Sequence, residues 1–83
     1  MNRFFVYALL SLKDGGLYIG QTSNLMARFK EHQSGKVKST KGRRPFVLVY
    51  WEEVPTREEA LQKEKEWKTT AGRRKLKKII SKK

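Results

Sequence analysis

Apolar residues fall along the chain in short runs parted by turn-forming and charged stretches. Residues 4–11, FFVYALLS, are apolar on both alternations and too few for an ordinary helix, which predicts a strand buried on both faces. Asp14 and Gly15 then stand between two apolar runs, the strongest short-range hairpin signal, so 17–21 folds back on the first strand. An even-numbered loop would place Tyr7 and Tyr18 on one face of the sheet. Residues 23–32 read as a helix capped by Ser23 or Thr22 and closed by a left-handed turn at Gly35. Leu25, Phe29 and His32 share one stripe of it, with Arg28 beside them.

Residues 36–44 form a basic stretch whose one apolar residue is Val37, expected to be a solvated, mobile loop. Residues 46–51, FVLVYW, predict a third strand that returns to solvent at Glu52 and Glu53. Thr56 and Glu59 make a capping box that opens a second helix. Ala60, Leu61 and Trp67 form its apolar face. Glu64 falls among them, while Glu58, Glu59 and Glu66 lie on the outer arc. Gly72 interrupts the pattern, and 73–80 resumes as a short basic helix with Leu76, Ile79 and Ile80 inward. Residues 81–83 are expected to fray.

Length and charge narrow the possibilities. A chain of 83 residues suits one small domain, with a core over about 3–80 and a basic tail at 81–83. With no cysteine and one histidine, neither a disulfide framework nor a Cys/His zinc site supports it. The first apolar run breaks at Lys13, too early to span a bilayer, and no cleavage site follows; a cytoplasmic protein is expected. The net charge of +12, from 20 Lys+Arg against 8 Asp+Glu, invites polyanions. Nucleic acid is the leading partner, because no helix carries the large apolar face that membrane binding needs. Lys36, Lys38, Lys41, Arg43 and Arg44 in the loop, and Arg73, Arg74 and Lys75 in the last helix, suit phosphate contacts.

Three polar features require a common explanation: paired tyrosines on a hairpin, Arg28 beside the inner stripe of the first helix, and Glu64 on that of the second. Buried charge is expensive unless paired or coordinated. A structural solution makes Arg28 and Glu64 an inward ion pair, with the tyrosines filling core volume and His32 a rim contact. A functional solution is phosphodiester hydrolysis. A lone carboxylate can hold one hard ion, Mg²⁺ or Mn²⁺, whose other positions stay with water and phosphate oxygens. An arginine offers a planar fork to the same phosphate. Tyrosine is a poor base at its reference pKa of about 10, but nearby positive charge favours the phenolate.

The ordered set resembles the GIY-YIG nucleases across residues 3–80. Tyr18, Ile19 and Gly20 match the YIG half, and Phe5, Val6 and Tyr7 occupy the GIY half. Thr22, Asn24, Arg28 and His32 fall where that family places its helix motif, with Glu64 distal. The similarity is to the small, single-domain predicted-endonuclease group. It implies an α+β fold, a small three-stranded antiparallel sheet flanked by three helices. It also implies a divalent-metal-dependent endonuclease hydrolysing DNA by a one-metal mechanism, in repair or processing, without a small-molecule cofactor. By position, Tyr7 would be a base or water-positioning group and Tyr18 would orient nucleophile or phosphate. Arg28 would stabilise the transition state, His32 would assist proton transfer or phosphate binding, and Glu64 would hold the metal. Two departures stand out. Phe5 replaces the first glycine of the GIY half, and no asparagine follows Asn24, where many members carry one beyond the metal glutamate. Thr69, Thr70 or a lysine of the last helix would take that part. The alternatives are a nucleic-acid-binding module that kept the fold and lost the reaction, and a protein-interaction domain.

Overall fold

The structure is a computed structural model and describes residues 3–81. Strands β1 (Phe4–Ser11), β2 (Leu17–Thr22) and β3 (Phe46–Val54) form one antiparallel sheet in the order β2-β1-β3. Helix α1 (Leu25–Ser34) follows β2, while α2 (Arg57–Lys68) and α3 (Thr70–Ser81) follow β3. The fold is the expected α+β arrangement. The central strand is apolar on both alternations because both faces are covered: Val6 and Ala8 pack toward α2 and α3, Tyr7 and Leu9 toward α1. Residues 12–15 make the hairpin turn, closed by the Ser11 amide donating to the Gly16 carbonyl at 2.9 Å, with Gly15 at φ 74°. This even-numbered loop sets Tyr18 opposite Leu9, so Tyr7 and Tyr18 share a face.

Helix α1 is capped by Asn24 rather than by Ser23 or Thr22. Asn24 holds an extended φ of −141°, and its side chain accepts from the Ala27 amide. The Thr22 hydroxyl is engaged one step earlier, accepting from the Asn24 amide at 3.1 Å. Gly35 ends the helix at φ 86°, as expected. The basic segment that follows is structured rather than loose. It winds through a 3₁₀ turn (Lys41–Arg43), buries Thr40 completely and ties Arg43 to Asp14. Strand β3 runs past Trp51 to Val54 because Glu52 and Glu53 pair with Val6 and Phe5 of β1. Their carboxylates find partners there: Glu52 accepts from the Tyr50 hydroxyl, and Glu53 pairs with Arg3. The register shifts between Ala8 and Leu9, leaving Val49 as the extra residue of a bulge.

On the other face, Thr56 caps α2 by accepting from the Glu59 amide at 3.1 Å, as the capping box predicts. Ala60 is fully buried and Trp67 bridges two apolar clusters, one around Ala8, Leu17, Ile19 and Leu76, the other around Val6, Val54 and Ala60. Leu61 is exposed, against expectation, because a turn of ~100° per residue carries it off the stripe that Ala60, Glu64 and Trp67 share. Gly72 does not break α3, which starts at Thr70. A Cβ there would collide with the Glu66 carbonyl oxygen and stand 2.8 Å from Trp67 Cα, so glycine permits the close α2–α3 crossing. Ser81 belongs to α3 rather than to a frayed tail; residues 82–83 lie outside the described residues. No helix among the described residues is long and apolar enough to cross a membrane.

Candidate active site

Tyr7 and Gly20 are cross-strand partners, and the tyrosine ring lies over the glycine. A Cβ at Gly20 would stand 2.6 Å from Tyr7 Oη and 2.9 Å from its Cζ. The missing side chain is therefore what lets the phenol cross β2 and reach α1. There Tyr7 Oη meets His32 Nε2 at 3.0 Å, while His32 Nδ1 meets Thr40 Oγ1 at 2.8 Å. The Tyr18 ring packs on the imidazole at 4.9 Å between centroids and on Tyr7 at 6.4 Å. His32 is wholly buried, not a rim contact. The α1 stripe explains this, since Leu25 and Phe29 seat the helix on Tyr7, Leu9 and Phe46 and carry His32 inward one turn later.

Burial pushes the Tyr7 phenol up to about 12. The Arg28 guanidinium beside its hydroxyl pulls the other way, and Tyr18 and Glu64 add to the rise. In the metal-free protein desolvation outweighs the charge of Arg28, and Tyr7 is a neutral phenol. His32 is lowered to about 4, by burial first and by Arg28 second, so its imidazole is neutral. The inward Arg28–Glu64 pair does not form. Arg28 pairs with Glu31 at 2.9 Å on its own helix, and Glu64 pairs with Lys68 at 2.9 Å. Glu64 still lies near enough for its charge to act on Tyr7. Tyr7, Tyr18, Arg28 and His32 thus form one cluster, with Glu64 at its margin.

Among the described residues, no group of three or more His, Cys, Asp or Glu could enclose a metal ion. Glu64 is a single carboxylate, with its side chain 19% exposed. That donor set fits one hard cation that keeps most of its positions for water and phosphate oxygens, and it does not fit an all-protein cage. The hydroxyl of Thr69, offered in place of the missing asparagine, is already engaged: it donates to the Glu66 carbonyl at 2.8 Å and accepts from the Gly72 amide at 3.0 Å.

The basic candidates divide into two kinds. Lys38 and Lys41 are exposed and, with Lys13, Gln33 and Arg44, line an open cleft of about 780 Å³. Lys36, Arg74 and Lys75 are exposed as well. Arg43 instead pairs with Asp14 at 2.9 Å, and Arg73 donates to the Leu17 carbonyl at 3.2 Å, tying α3 to β2. Both are structural ties before they are phosphate ligands. Sequence reasoning missed Thr40 behind His32, Glu31 as partner of Arg28 and Lys68 as partner of Glu64. The last two stand at i+3 and i+4 and could have been read from helical spacing. A threonine in a lysine-rich segment carries no such signal.

The sequence matches the GIY-YIG catalytic domain over residues 3–78. It is 45% identical over 80 residues to a UPF0213 protein of Staphylococcus haemolyticus, covering 95% of this chain and 96% of that one. A UPF0213 protein of Staphylococcus aureus is 42% identical with the same coverage. The fold is similar to the solution NMR structure of a UPF0213 protein from Bacillus halodurans, with a TM-score of 0.57 and 42% identity over 98% of this chain and 85% of that one.

Proposed function

The chain belongs to the GIY-YIG catalytic-domain family and its small UPF0213 branch, a nuclease-type fold, and from that premise we propose a divalent-metal-dependent endonuclease that hydrolyses phosphodiester bonds in DNA. The observation that carries this reading is the Tyr7 hydroxyl, buried yet delivered across Gly20 to His32 and Arg28. Burial alone asks one partner of the phenol, which His32 supplies; the Arg28 guanidinium beside it is a second, charged neighbour that satisfying the hydroxyl does not require.

In this reading Arg28 binds the scissile phosphate, and its pairing with the half-exposed Glu31 is weak enough to yield. Glu64 would hold Mg²⁺ or Mn²⁺ in place of its pair with Lys68. Bound there, such an ion would supply positive charge that offsets the negative charge developing during hydrolysis. Tyr7 takes a proton from the attacking water as its own proton passes to His32 Nε2. The water oxygen forms the new P–O bond, and the bridging P–O bond breaks toward the leaving sugar oxygen, which is protonated from solvent. Tyr18 walls the imidazole and orients the incoming water. Phosphate on Arg28 offsets the charge that lowers His32, making the imidazole a better acceptor once substrate is bound.

Purified protein with Mg²⁺ or Mn²⁺ is expected to cut single-stranded, duplex or branched DNA, with Glu64→Ala reducing the rate at least ~100-fold. No cleavage in either metal, or full cutting by Glu64→Ala, overturns the proposal. A second reading, a binding module that lost the reaction, draws on the Glu64–Lys68 pair and the cleft of Lys13, Lys38, Lys41 and Arg44. It predicts salt-sensitive DNA binding without product in any metal.

A further inference from the structure

The segment from 36 to 44 carries Lys36, Lys38, Lys41, Arg43 and Arg44, yet one of its hydroxyls is sealed from solvent. Thr40 is 0% exposed. Its backbone amide donates to the Val37 carbonyl at 3.1 Å, and its carbonyl accepts from the Arg43 amide at 3.0 Å, so the residue is pinned at the head of the 3₁₀ turn. Its hydroxyl lies 3.3 Å from the Val37 carbonyl, which can only accept, and 2.8 Å from His32 Nδ1. A threonine hydroxyl has one hydrogen. If that hydrogen is directed to Val37, the bond to His32 must have the imidazole as donor. Nδ1 then carries the proton of the neutral ring, and Nε2, 3.0 Å from Tyr7 Oη, has a free lone pair. The hydrogen bonds then run in one direction, from Tyr7 through His32 and Thr40 to the Val37 carbonyl.

We propose that Thr40 is the positioning residue that fixes His32 as its Nδ1–H tautomer, keeping Nε2 as the acceptor for the Tyr7 proton. The opposite tautomer would place a hydrogen on Nε2 and leave Tyr7 with no base. A neutral ring has one proton to place, and the buried, neutral His32 meets that condition. The second partner of a histidine decides which nitrogen is free, and at metal-bound histidines removing such a partner typically costs about 10–100-fold in affinity or activity, the scale taken for Thr40. When Tyr7 passes its proton to Nε2, His32 becomes the imidazolium. Its Nδ1 proton stays on the ring, donated to Thr40 Oγ1, so no further group has to accept it. The catalytic consequence rests on the hydrolytic reading above; the tautomer does not.

The chain has one histidine, so the long-range ¹H–¹⁵N imidazole spectrum of the intact ¹⁵N-labelled protein holds a single spin system. At neutral pH it is expected to show Nδ1 protonated and Nε2 bare. Thr40→Val, which keeps the shape and removes the hydroxyl, is expected to shift the ring toward Nε2–H and to lower kcat ~10–100-fold with KM unchanged. Thr40→Ser is expected to restore both. A wild-type ring protonated on Nε2 overturns the proposal, as does a Thr40→Val ring that stays Nδ1–H or a Thr40→Val enzyme with full kcat. Should Thr40→Val fail to fold, the wild-type spectrum and Thr40→Ser still decide the tautomer. A wild-type protein that is Nδ1–H yet cuts nothing would sink the hydrolytic reading alone.

Discussion

Both faces of the sheet hold buried apolar residues, but only the α1 face adds a chain of bonded polar groups to them. Under α2 and α3, Val6, Ala8, Ile19, Ala60 and Leu76 are at most 2% exposed and wholly apolar. Under α1, Tyr7, His32 and Thr40 are equally enclosed, and each carries a polar group whose burial costs free energy unless it is bonded. The cost is met by making every polar atom of one group the partner of the next. Since β1 alternates between the faces, adjacent residues serve different ends: Val6 and Ala8 pack under α2 and α3, and Tyr7 between them reaches the His32 imidazole. The difference teaches that stability and chemistry can be changed separately in a domain this small.

The sharpest test of that separation is Leu76→Ala. Leu76 is 0% exposed, so its truncation is expected to destabilise the protein by about 2–5 kcal/mol in urea unfolding. The His32 spectrum and the kcat of the fraction that stays folded should be unchanged; a changed ring spectrum would join the faces into one unit. Next comes pH. His32 titrates near 4 when folded and at about 6.5 when unfolded, so the unfolded chain takes up its proton first as pH falls. The stabilising effect of a neutral His32 is fully present above pH ~6.5 and is lost toward pH 4, by at most about 3 kcal/mol. Comparing denaturant midpoints of wild type and His32→Gln across this range isolates the effect, and parallel curves would show that the histidine is not sealed. Gly20→Ala is smaller and local. Its Cβ would stand 2.6 Å from Tyr7 Oη, costing about 1–3 kcal/mol by overpacking and moving the phenol away from His32 Nε2. An unshifted imidazole resonance in that variant would refute the crossing.

The apolar face was the more legible of the two. Its strands, the Thr56 cap and the inward Leu76 follow from alternation, capping chemistry and helical spacing, all local rules. The polar face was legible in its parts. Tyr7 and Tyr18 share a face by loop parity, and His32 falls on the Leu25–Phe29 stripe. What spacing does not carry is desolvation, which in the metal-free protein keeps the Tyr7 phenol neutral despite Arg28. Thr40 was out of reach because its role depends on the chain folding back behind α1, a contact no periodicity encodes. Gly72 was misread for a related reason: a glycine that breaks a helix and one that admits a neighbouring helix look alike until the neighbour is in place.

The smallest effect separates the faces through their helix caps. Asn24→Ala and Thr56→Ala each remove one side-chain acceptor from a first-turn amide and should each cost about 1 kcal/mol. Their effects on cleavage should differ. Arg28 donates its amide to the Asn24 carbonyl, so it stands in the first turn of α1 and loosens when that turn frays. Glu64 lies two turns inside α2, beyond Ala60, which is packed at 0% exposure. Fraying at Thr56 stops before it. Asn24→Ala should therefore lower kcat in a protein only slightly less stable, whereas Thr56→Ala should match it in unfolding midpoint and cut at the wild-type rate. An Asn24→Ala variant that cuts at the wild-type rate would mean that Arg28 is held by Glu31 and the sheet, independently of the cap, and that the chemistry of the α1 face does not depend on the end of its helix.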